Sequence, residues 1–176
     1  MTKIHTQYFA LLIVILPMLC GCSGGKRPDG MPKLHPCQIT ITQDGVPLEG
    51  ASVTLDPKGG SISWRSDGRT DANGVAYIVT GVEYKGAPVG EYRVRVSKME
   101  LSPSAVSDTS PTDPIEYEKW AQVKRSETRT QYRMVKAEFD DPKKTTLELT
   151  VSEGKNEVTF DVGEAIKEEI KPKGRR

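Results

Sequence analysis

The chain has very little histidine and cysteine, and this scarcity excludes most catalytic and metal-binding chemistry. Of its 176 residues only 2 are histidine and 3 are cysteine. His5 lies in the apolar amino-terminal segment, so His35 alone is left for the proton shuttle that a Ser-His-Asp arrangement requires. Cys37 has no cysteine partner in the predicted mature chain, and a lone cysteine in a strand is more often a small core residue than a reactive thiol. We therefore expect no enzyme activity, no catalytic residue, no cofactor and no metal site.

An excess of one charge and a long hydrophobic run are also missing. The formal net charge is +1, and a balanced chain of this kind gives no sign of a nucleic-acid partner. The apolar run at residues 8–19 is shorter than the roughly 20 residues that span a bilayer. With Lys3 ahead of it, this run is typical of the hydrophobic part of a secretory signal peptide.

The apolar run ends in a short motif that resembles a lipoprotein cleavage site. In Leu19-Cys20-Gly21-Cys22, the small Gly21 directly precedes Cys22, which would accept the diacylglyceryl group. Cys20 fits less well, because the bulky Leu19 would then precede the cut; an uncleaved anchor or an ordinary signal peptide is the alternative. Ser23 follows Cys22, and a residue other than aspartate here resembles outer-membrane sorting. Since several acyl chains anchor a protein stably, we expect a lipid-anchored protein of the cell envelope, at the outer membrane.

Composition divides the chain into four parts. Residues 1–21 are predicted to be the signal peptide, and residues 22–36 the lipid-bearing cysteine and a flexible tether rich in glycine and proline. Residues 37–162 are predicted to form one domain, and residues 163–176 a charged tail that begins as a frayed helix. The domain would therefore lie close to the membrane surface.

Alternation of apolar and polar residues predicts seven short strands in residues 37–162. Two of these strands are expected at residues 62–65 and 75–79. The inward-facing residues expected of the other five strands are Cys37, Ile39 and Ile41; Ala51, Val53 and Leu55; Tyr92, Val94 and Val96; Leu147, Leu149 and Val151; and Val158, Phe160 and Val162. Turn signals at residues 44–45, 71–74 and 153–156 and a loop at 86–90 separate these segments. The pattern indicates an all-β fold, a seven-stranded antiparallel Greek-key β-sandwich.

A segment between the fifth and sixth strands, residues 99–135, lacks this alternation and is predicted to be an insertion. It contains a long loop at residues 102–113 and then a helix over residues 114–126. Asp113 can cap that helix, Pro114 suits its first position, and Glu116 can reach back to the cap. Tyr117, Trp120, Ala121 and Lys124 would share one face of the helix.

Three runs of sequence resemble carboxypeptidase regulatory-like, or transthyretin-like, domains. They are Gly45-Val46-Pro47-Leu48-Glu49-Gly50-Ala51-Ser52-Val53, Thr70-Asp71-Ala72-Asn73-Gly74 and Gly86-Ala87-Pro88-Val89-Gly90-Glu91-Tyr92-Arg93-Val94. The later runs 139–147 and 154–156 resemble small lipoproteins of this type from planctomycetes and related bacteria. The resemblance covers roughly residues 36–162. It implies a seven-stranded sandwich that serves as a non-catalytic accessory module, and it implies no particular ligand.

Three aromatic residues are the best candidates for ligand contact. Trp64, Tyr117 and Trp120 could stack on the apolar face of a sugar, or the helix could instead dock its rings on the sandwich. Arg93 and Arg95 are expected on a solvated outer face, with acidic-glycan or phosphate binding as the alternative. We expect a binding or structural module whose partners are the membrane, through its anchor, and an envelope protein or a glycan. An accessory subunit of a transport or polysaccharide-degradation complex, with a carbohydrate-binding role, is the alternative.

One acidic loop offers oxygen atoms that calcium could use. Asp67, Asp71 and Asn73 lie close together in sequence, but residues 77–80 supply no further acid to complete a calcium loop. A plain turn, with Asp71 and Asn73 bonded to nearby backbone groups, is the favoured interpretation.

Overall fold

A computed structural model gives the structure of residues 27–59 and 63–170. The predicted signal peptide, Cys22 with the first part of the tether, Ile62 of the predicted third strand and the basic residues 171–176 lie outside the described residues. Across those two ranges, we find no helix with the length and apolar character needed to cross a membrane.

The described residues form mostly β-sheet with one α-helix and one 3-10 helix. In chain order the strands are β1 (Leu34–His35), β2 (Cys37–Gln43), β3 (Val46–Pro47), β4 (Ser52–Pro57), β5 (Ser66–Arg69), β6 (Val75–Tyr77), β7 (Val79–Thr80), β8 (Tyr84–Lys85), β9 (Ala87–Pro88), β10 (Gly90–Ser97), β11 (Met99–Leu101), β12 (Gln131–Arg133), β13 (Glu148–Val151), β14 (Asn156–Asp161) and β15 (Glu168–Ile170). The helix α1 spans Pro114–Ser126, and the 3-10 helix spans Ala137–Asp140. The predicted all-β class is confirmed.

The larger sheet has six strands in the order β13-β10-β4-β5-β7-β8, and all of its neighbours are antiparallel. Its centre is the pair of β10 and β4, in which Val94 lies opposite Leu55 and Val96 opposite Val53. These four side chains are almost fully buried. The alternation that predicted these strands thus reflects one face turned to the core.

The second sheet is built around β2 and contains a parallel pair, which the sequence analysis did not predict. Strand β14 runs parallel to β2 along one edge, while β3 and β6 pair antiparallel with β2 along the other. The turn after β13 carries the chain from the six-stranded sheet to this one, so β13 and β14 do not form a hairpin. Because β14 pairs with β2 and not with β13, no tight turn between paired strands fixes its direction.

The predicted fourth strand, residues 75–79, is divided between the two sheets. Strand β6 pairs with β2, and β7 pairs with β5 of the six-stranded sheet. Between them Ile78 is 2% exposed, donates its amide to the Cys37 carbonyl and accepts from the Gly86 amide. The chain crosses from one sheet to the other at this residue.

One hydrophobic core draws side chains from both sheets. It contains Ile39 and Ile41 from β2 together with Tyr92 and Val94 from β10. Cys37 is 5% exposed and belongs to the same core, which confirms its predicted packing role. Burial raises the pKa of the Cys37 thiol to about 11, so the thiol stays protonated near neutral pH. Leu149, Val158 and Phe160 pack against the core but are only partly buried.

The third strand was predicted at the wrong residues. It spans Ser66–Arg69 rather than 62–65, and Ser63 to Arg65 are not in a strand. A buried polar pair holds it, since the Ser66 hydroxyl lies 2.7 Å from the Thr80 hydroxyl. At Gly68 an added Cβ would come within 2.9 Å of the Tyr77 carbonyl oxygen. Polar and small residues that make close contacts do not produce the apolar alternation on which the prediction relied.

Two further segments differ from their predictions. Within the predicted loop at 86–90, Ala87 and Pro88 form β9, which pairs with β1. Strand β1 is buried, so regular structure begins three residues before the expected start of the domain at Cys37. The described part of the tail, residues 163–170, is not helical, and within it Glu168–Ile170 pair with β12. Together with β11, these two strands form a three-stranded sheet.

The helix in the insertion is confirmed with the predicted bounds, Pro114–Ser126. The Asp113 carboxylate accepts hydrogen bonds from the amides of Ile115 and Glu116, at 2.9 and 3.0 Å. The expected return bond from the Glu116 side chain to the cap is not formed. None of the helix residues is buried, so the helix lies at the surface rather than in the core.

Candidate functional site

A cleft of about 390 Å³ lies between four segments that are far apart in the sequence. The segment that leads into β1 forms one wall, and the residues before β5, the residues of and after β9 and the turn after β13 form the rest. Its lining residues are Gly30, Pro32, Lys33, His35, Ser63, Trp64, Pro88, Val89 and Glu153. Its volume is within the range of about 300–1,000 Å³ that is usual for small-molecule sites.

Trp64 is the one predicted contact residue that lines this cleft. Its ring is half-buried, and it shares the lining with Pro32 and Pro88. Pro88 is fully buried, and its carbonyl accepts a 2.8 Å hydrogen bond from the Tyr92 hydroxyl. Burial raises the pKa of Tyr92 to about 12, so this hydroxyl remains a donor at neutral pH. The apolar part of the lining is thus tied to the core.

His35 brings a buried polar group to the cleft. The residue is 4% exposed, and its Nδ1 accepts a 2.8 Å hydrogen bond from the Gly154 amide. A neutral imidazole that accepts at Nδ1 carries its proton on Nε2. The described residues supply no hydrogen-bond partner for that Nε2, while His35 lines the cleft. The Gly154 bond therefore holds the imidazole ring in one orientation beside the cleft.

The close pairing of β1 with β9 positions His35. His35 lies opposite Ala87 in this pair. The residue before Ala87, Gly86, has a φ of +103°, and an added Cβ there would lie 2.4 Å from the His35 carbonyl oxygen. Only glycine fits so close an approach with this backbone conformation. The same glycine amide bonds to Ile78, so the cleft is connected to the point where the chain changes sheets.

Two exposed charges of opposite sign complete the lining. Lys33 and Glu153 both border the cleft and are both exposed. Among the described residues, no group of three or more histidine, cysteine, aspartate or glutamate side chains is placed to hold a metal ion. The arrangement supplies hydrogen bonds, an apolar surface and balanced charge, which are the elements of a binding site.

Tyr117 and Trp120 lie apart from this cleft, in the insertion. Their ring centroids are 5.8 Å apart, and the Trp120 indole donates a 2.7 Å hydrogen bond to the Ser107 carbonyl. On the same face Lys124 pairs with Asp108 at 2.7 Å. The predicted face of the helix thus packs, but on the loop at residues 102–113 and not on the sheets. Tyr117 remains 49% exposed.

The acidic loop forms the turn that its sequence favoured. Asp71 Oδ1 accepts hydrogen bonds from the amides of Asn73 and Val75, both at 2.9 Å. Asp67 forms an ion pair with Arg65 at 2.7 Å. These contacts use one carboxylate oxygen of each aspartate, and Asn73 takes part through its backbone amide rather than, as predicted, through its side chain.

The arginines of β10 do not form a uniformly solvated face. Arg95 is only 28% exposed and forms ion pairs with Asp56 and with Asp140 of the 3-10 helix. Arg93 is exposed and donates to the Pro142 carbonyl at 3.1 Å. The segment around the 3-10 helix therefore covers part of the outer face that was predicted to meet solvent.

Sequence reasoning missed His35, Lys33 and Glu153 as cleft residues. His35 was assigned to the tether because its neighbours are rich in proline and glycine. Its only local signal is the pair Leu34-His35, which the structure places in β1. Glu153 comes from the other end of the domain, and no pattern in the sequence joins it to Trp64.

A comparison of the sequence with protein-family models finds no match, and neither the curated proteins nor the solved structures contain a match to it.

Proposed function

We propose that this chain is a lipid-anchored, non-catalytic binding module of the cell envelope and that it binds its ligand in the Trp64 cleft. The observation that carries this proposal is the make-up of that cleft. Its lining joins a half-buried tryptophan, a buried histidine held by one hydrogen bond and two exposed charges of opposite sign. Concave sites with an apolar lining and a few fixed polar groups are typical of ligand binding.

The proposed anchor places the cleft near the membrane. Gly30, Pro32 and Lys33 line the cleft, and Gly30 follows Cys22 by 8 residues. Even a fully extended segment of this length spans at most about 28 Å. A lipidated Cys22 would therefore hold the cleft within this distance of the bilayer surface, where it can meet envelope components.

For the fold we propose a β-sandwich of the transthyretin-like kind. This proposal is supported by two sheets that contribute to one hydrophobic core. The runs that carry the resemblance, at residues 45–53, 70–74 and 86–94, lie in strands β3, β4, β9 and β10 and in the Asp71 turn. The Asp71 turn and the buried Tyr92 are the parts of those runs that fit this proposal most directly.

The second candidate function is that of an accessory subunit in a transport or polysaccharide-degradation complex. It is favoured by the outer face of α1, where Ile115 and Val123 are 68% and 39% exposed. A partner protein could bury these two side chains. Crosslinks formed from this face, rather than from the cleft, would support this second function.

Fractionation and acyl labelling test the anchor. The Cys22→Ala variant should lose both its acyl label and its membrane association. The matched control is Cys20→Ala, which should keep both. A Cys22→Ala protein that still carries labelled lipid would show that the anchor is assigned wrongly.

Photocrosslinking in cells tests the binding role. A photoreactive amino acid replaces Val89, which lines the cleft and is 51% exposed, or Val82, which is 94% exposed and lies outside the lining. We expect a discrete adduct from position 89 that is absent from position 82 and is lost in a Trp64→Ala background. Equal labelling from both positions, or none from position 89, would refute a ligand site in the cleft.

A further inference from the structure

We propose that the cleft binds a neutral pyranose sugar, either as a unit of a free glycan or as the headgroup of a glycolipid. This inference rests on the proposed function and narrows its ligand to one chemical class. A pyranose ring has an apolar C–H face and a rim of hydroxyl groups, so it needs an apolar wall and several hydrogen-bonding groups at once. The cleft supplies both kinds of surface.

The apolar wall consists of Trp64 and Pro32, and the buried Pro88 lies behind it. A tryptophan indole offers the large flat surface on which a C–H face can stack, and its burial would contribute more than that of a smaller side chain. Because Pro88 is fixed to the Tyr92 hydroxyl, its side of the cleft is already in place before a ligand arrives. A fixed wall reduces the entropy that binding costs.

The hydrogen-bonding group that we assign to this cleft from the domain interior is His35. The ring is 4% exposed and its Nδ1 atom is occupied by the Gly154 amide. A ligand that displaced water from an imidazole N–H without offering an acceptor would leave that donor unsatisfied, which is costly. A hydroxyl oxygen is an acceptor of the right kind, and the Ser63 hydroxyl, which also borders the cleft, can pair with a second one.

Charge at the cleft argues against an ionic ligand. Lys33 and Glu153 carry opposite formal charges, and both are exposed at the cleft. An anionic sugar would approach the Glu153 carboxylate, and a cationic one the Lys33 ammonium group. Opposite charges at one rim instead provide a donor and an acceptor for neutral hydroxyl groups.

Tryptophan fluorescence can test this proposal directly, because Trp64 and Trp120 are the only tryptophans in the chain. In a Trp120→Phe variant of the full chain, purified in detergent, all tryptophan emission comes from Trp64. We expect a saturable emission change on titration with neutral gluco- or galacto-oligosaccharides. The matched control, Trp64→Phe, retains only Trp120 and should show no such change.

Affinity measurements by calorimetry separate stacking from other effects. Trp64→Ala should weaken binding by at least about tenfold, while Trp120→Ala should leave it unchanged. His35→Gln should also weaken binding; if it unfolds the protein, the Trp64 variants still decide the question, since that ring is only half-buried. For a neutral sugar the affinity should change little with salt, because no ligand charge is screened.

Two arms of the experiment distinguish the source of the sugar. Phosphatidylcholine vesicles with a galactosyl diacylglycerol, compared with vesicles without it, test a glycolipid headgroup; soluble oligosaccharides test a free glycan. Binding only to an acidic polymer such as polygalacturonate, or no response to any neutral sugar, would overturn the proposal. If position 89 still gave its Trp64-dependent adduct, then only the sugar class would be wrong and the binding function would stand.

Discussion

The carboxylate of Asp161 accepts a 2.8 Å hydrogen bond from the amide of Gly45, although 116 residues separate them. The same Oδ2 atom accepts from the Thr42 hydroxyl at 2.7 Å, and Oδ1 accepts from the Gly163 amide at 2.7 Å. Asp161 ends β14, while Gly45 belongs to the tight turn between β2 and β3. One side chain thus fixes both that turn and the end of the parallel pair.

Asp161→Asn should lower the stability of the domain at neutral pH. The asparagine amide is uncharged, and its nitrogen cannot accept the hydrogen bonds that one of the two carboxylate oxygens now accepts. The Gly45 amide, followed by the Thr42 hydroxyl and the Gly163 amide, lowers the pKa of Asp161 in the folded state. A lowered folded-state pKa adds stability above the unfolded pKa of about 3.9, and this stability is lost as the pH falls through the folded value. Urea unfolding should therefore show a difference between wild type and Asp161→Asn that is full at pH 7 and shrinks below about pH 4.

Glu157→Gln is the control for this comparison. Glu157 lies on the same strand and is exposed, but it pairs only with Lys155 at the surface. Its replacement should change the urea midpoint little at either pH. A gap between wild type and Asp161→Asn that stayed constant down to the lowest pH would show that the charge of Asp161 does not stabilise the turn.

Gly86→Ala should destabilise the protein and disturb the cleft together. The new Cβ would lie 2.4 Å from the His35 carbonyl oxygen, in a backbone conformation with φ of +103°. Strand β1 would have to move away from β9, and we expect a loss well above about 1 kcal/mol in the free energy of unfolding. Thermal unfolding and Trp64 emission in a Trp120→Phe background measure the two effects.

Gly163→Ala separates the two causes of that loss. Gly163 also has a positive φ, +68°, but an added Cβ there would meet no atom within 4 Å. Its replacement should cost only the backbone strain and should leave Trp64 emission unchanged. Equal losses for the two variants would show that contact with His35 does not matter.

Arg95→Met should destabilise the domain by about 1–2 kcal/mol, because it leaves two partly buried carboxylates without their cation. Arg95 pairs with Asp56 on β4 and with Asp140 of the 3-10 helix, and all three side chains are about one-third exposed or less. Arg93→Met, on the same face, removes an exposed side chain that donates to the Pro142 carbonyl. Chemical denaturation should show a change within about 0.5 kcal/mol for Arg93→Met. Similar midpoints for the two variants would mean that the Arg95 ion pairs add no stability.

The sequence allowed prediction of those parts of the fold that depend on local pattern. The alternation around Ile39, Val53 and Val94 reports a strand with one buried face, and Asp113 before Pro114 reports the start of a helix. The sheet that each strand joins depends instead on partner strands that are far away in the sequence. Nothing near Ile78 distinguishes a continuous strand from one that changes sheets, and the tail joins β12 only because residues 131–133 lie beside it.

Only one residue of the candidate site, Trp64, could be predicted from the sequence. Trp64 could be proposed because an aromatic side chain in a polar segment has a recognisable chemistry. The contribution of His35 depends on the pairing of β1 with β9 and on the Gly154 amide, which comes 119 residues later. Long-range hydrogen bonds of this kind leave no periodic trace in the sequence.

The buried hydroxyl pair of Ser66 and Thr80 should show strong non-additivity on substitution. The Thr80 hydroxyl lies 2.7 Å from the Ser66 hydroxyl and donates to the Gly86 carbonyl at 2.7 Å, and both side chains belong to fully buried residues. Thr80→Val keeps the shape but leaves the Ser66 hydroxyl and the Gly86 carbonyl unsatisfied, which should cost about 1–3 kcal/mol. Ser66→Ala removes one donor and leaves the Thr80 bond to Gly86 intact, so it should cost less.

A double-mutant cycle measures how these two hydroxyls depend on each other. Once Thr80 is valine, Ser66→Ala removes a hydroxyl that no longer has a partner, so it should cost little or even restore some stability. Urea unfolding of the wild type, both single variants and the double variant gives the coupling energy. Additive losses would mean that the two hydroxyls act separately, for instance with Ser66 bonded to water in place of Thr80. A coupled pair would instead show that β5 is held next to β7 by this polar contact, which explains why its sequence lacks the apolar alternation of the other strands.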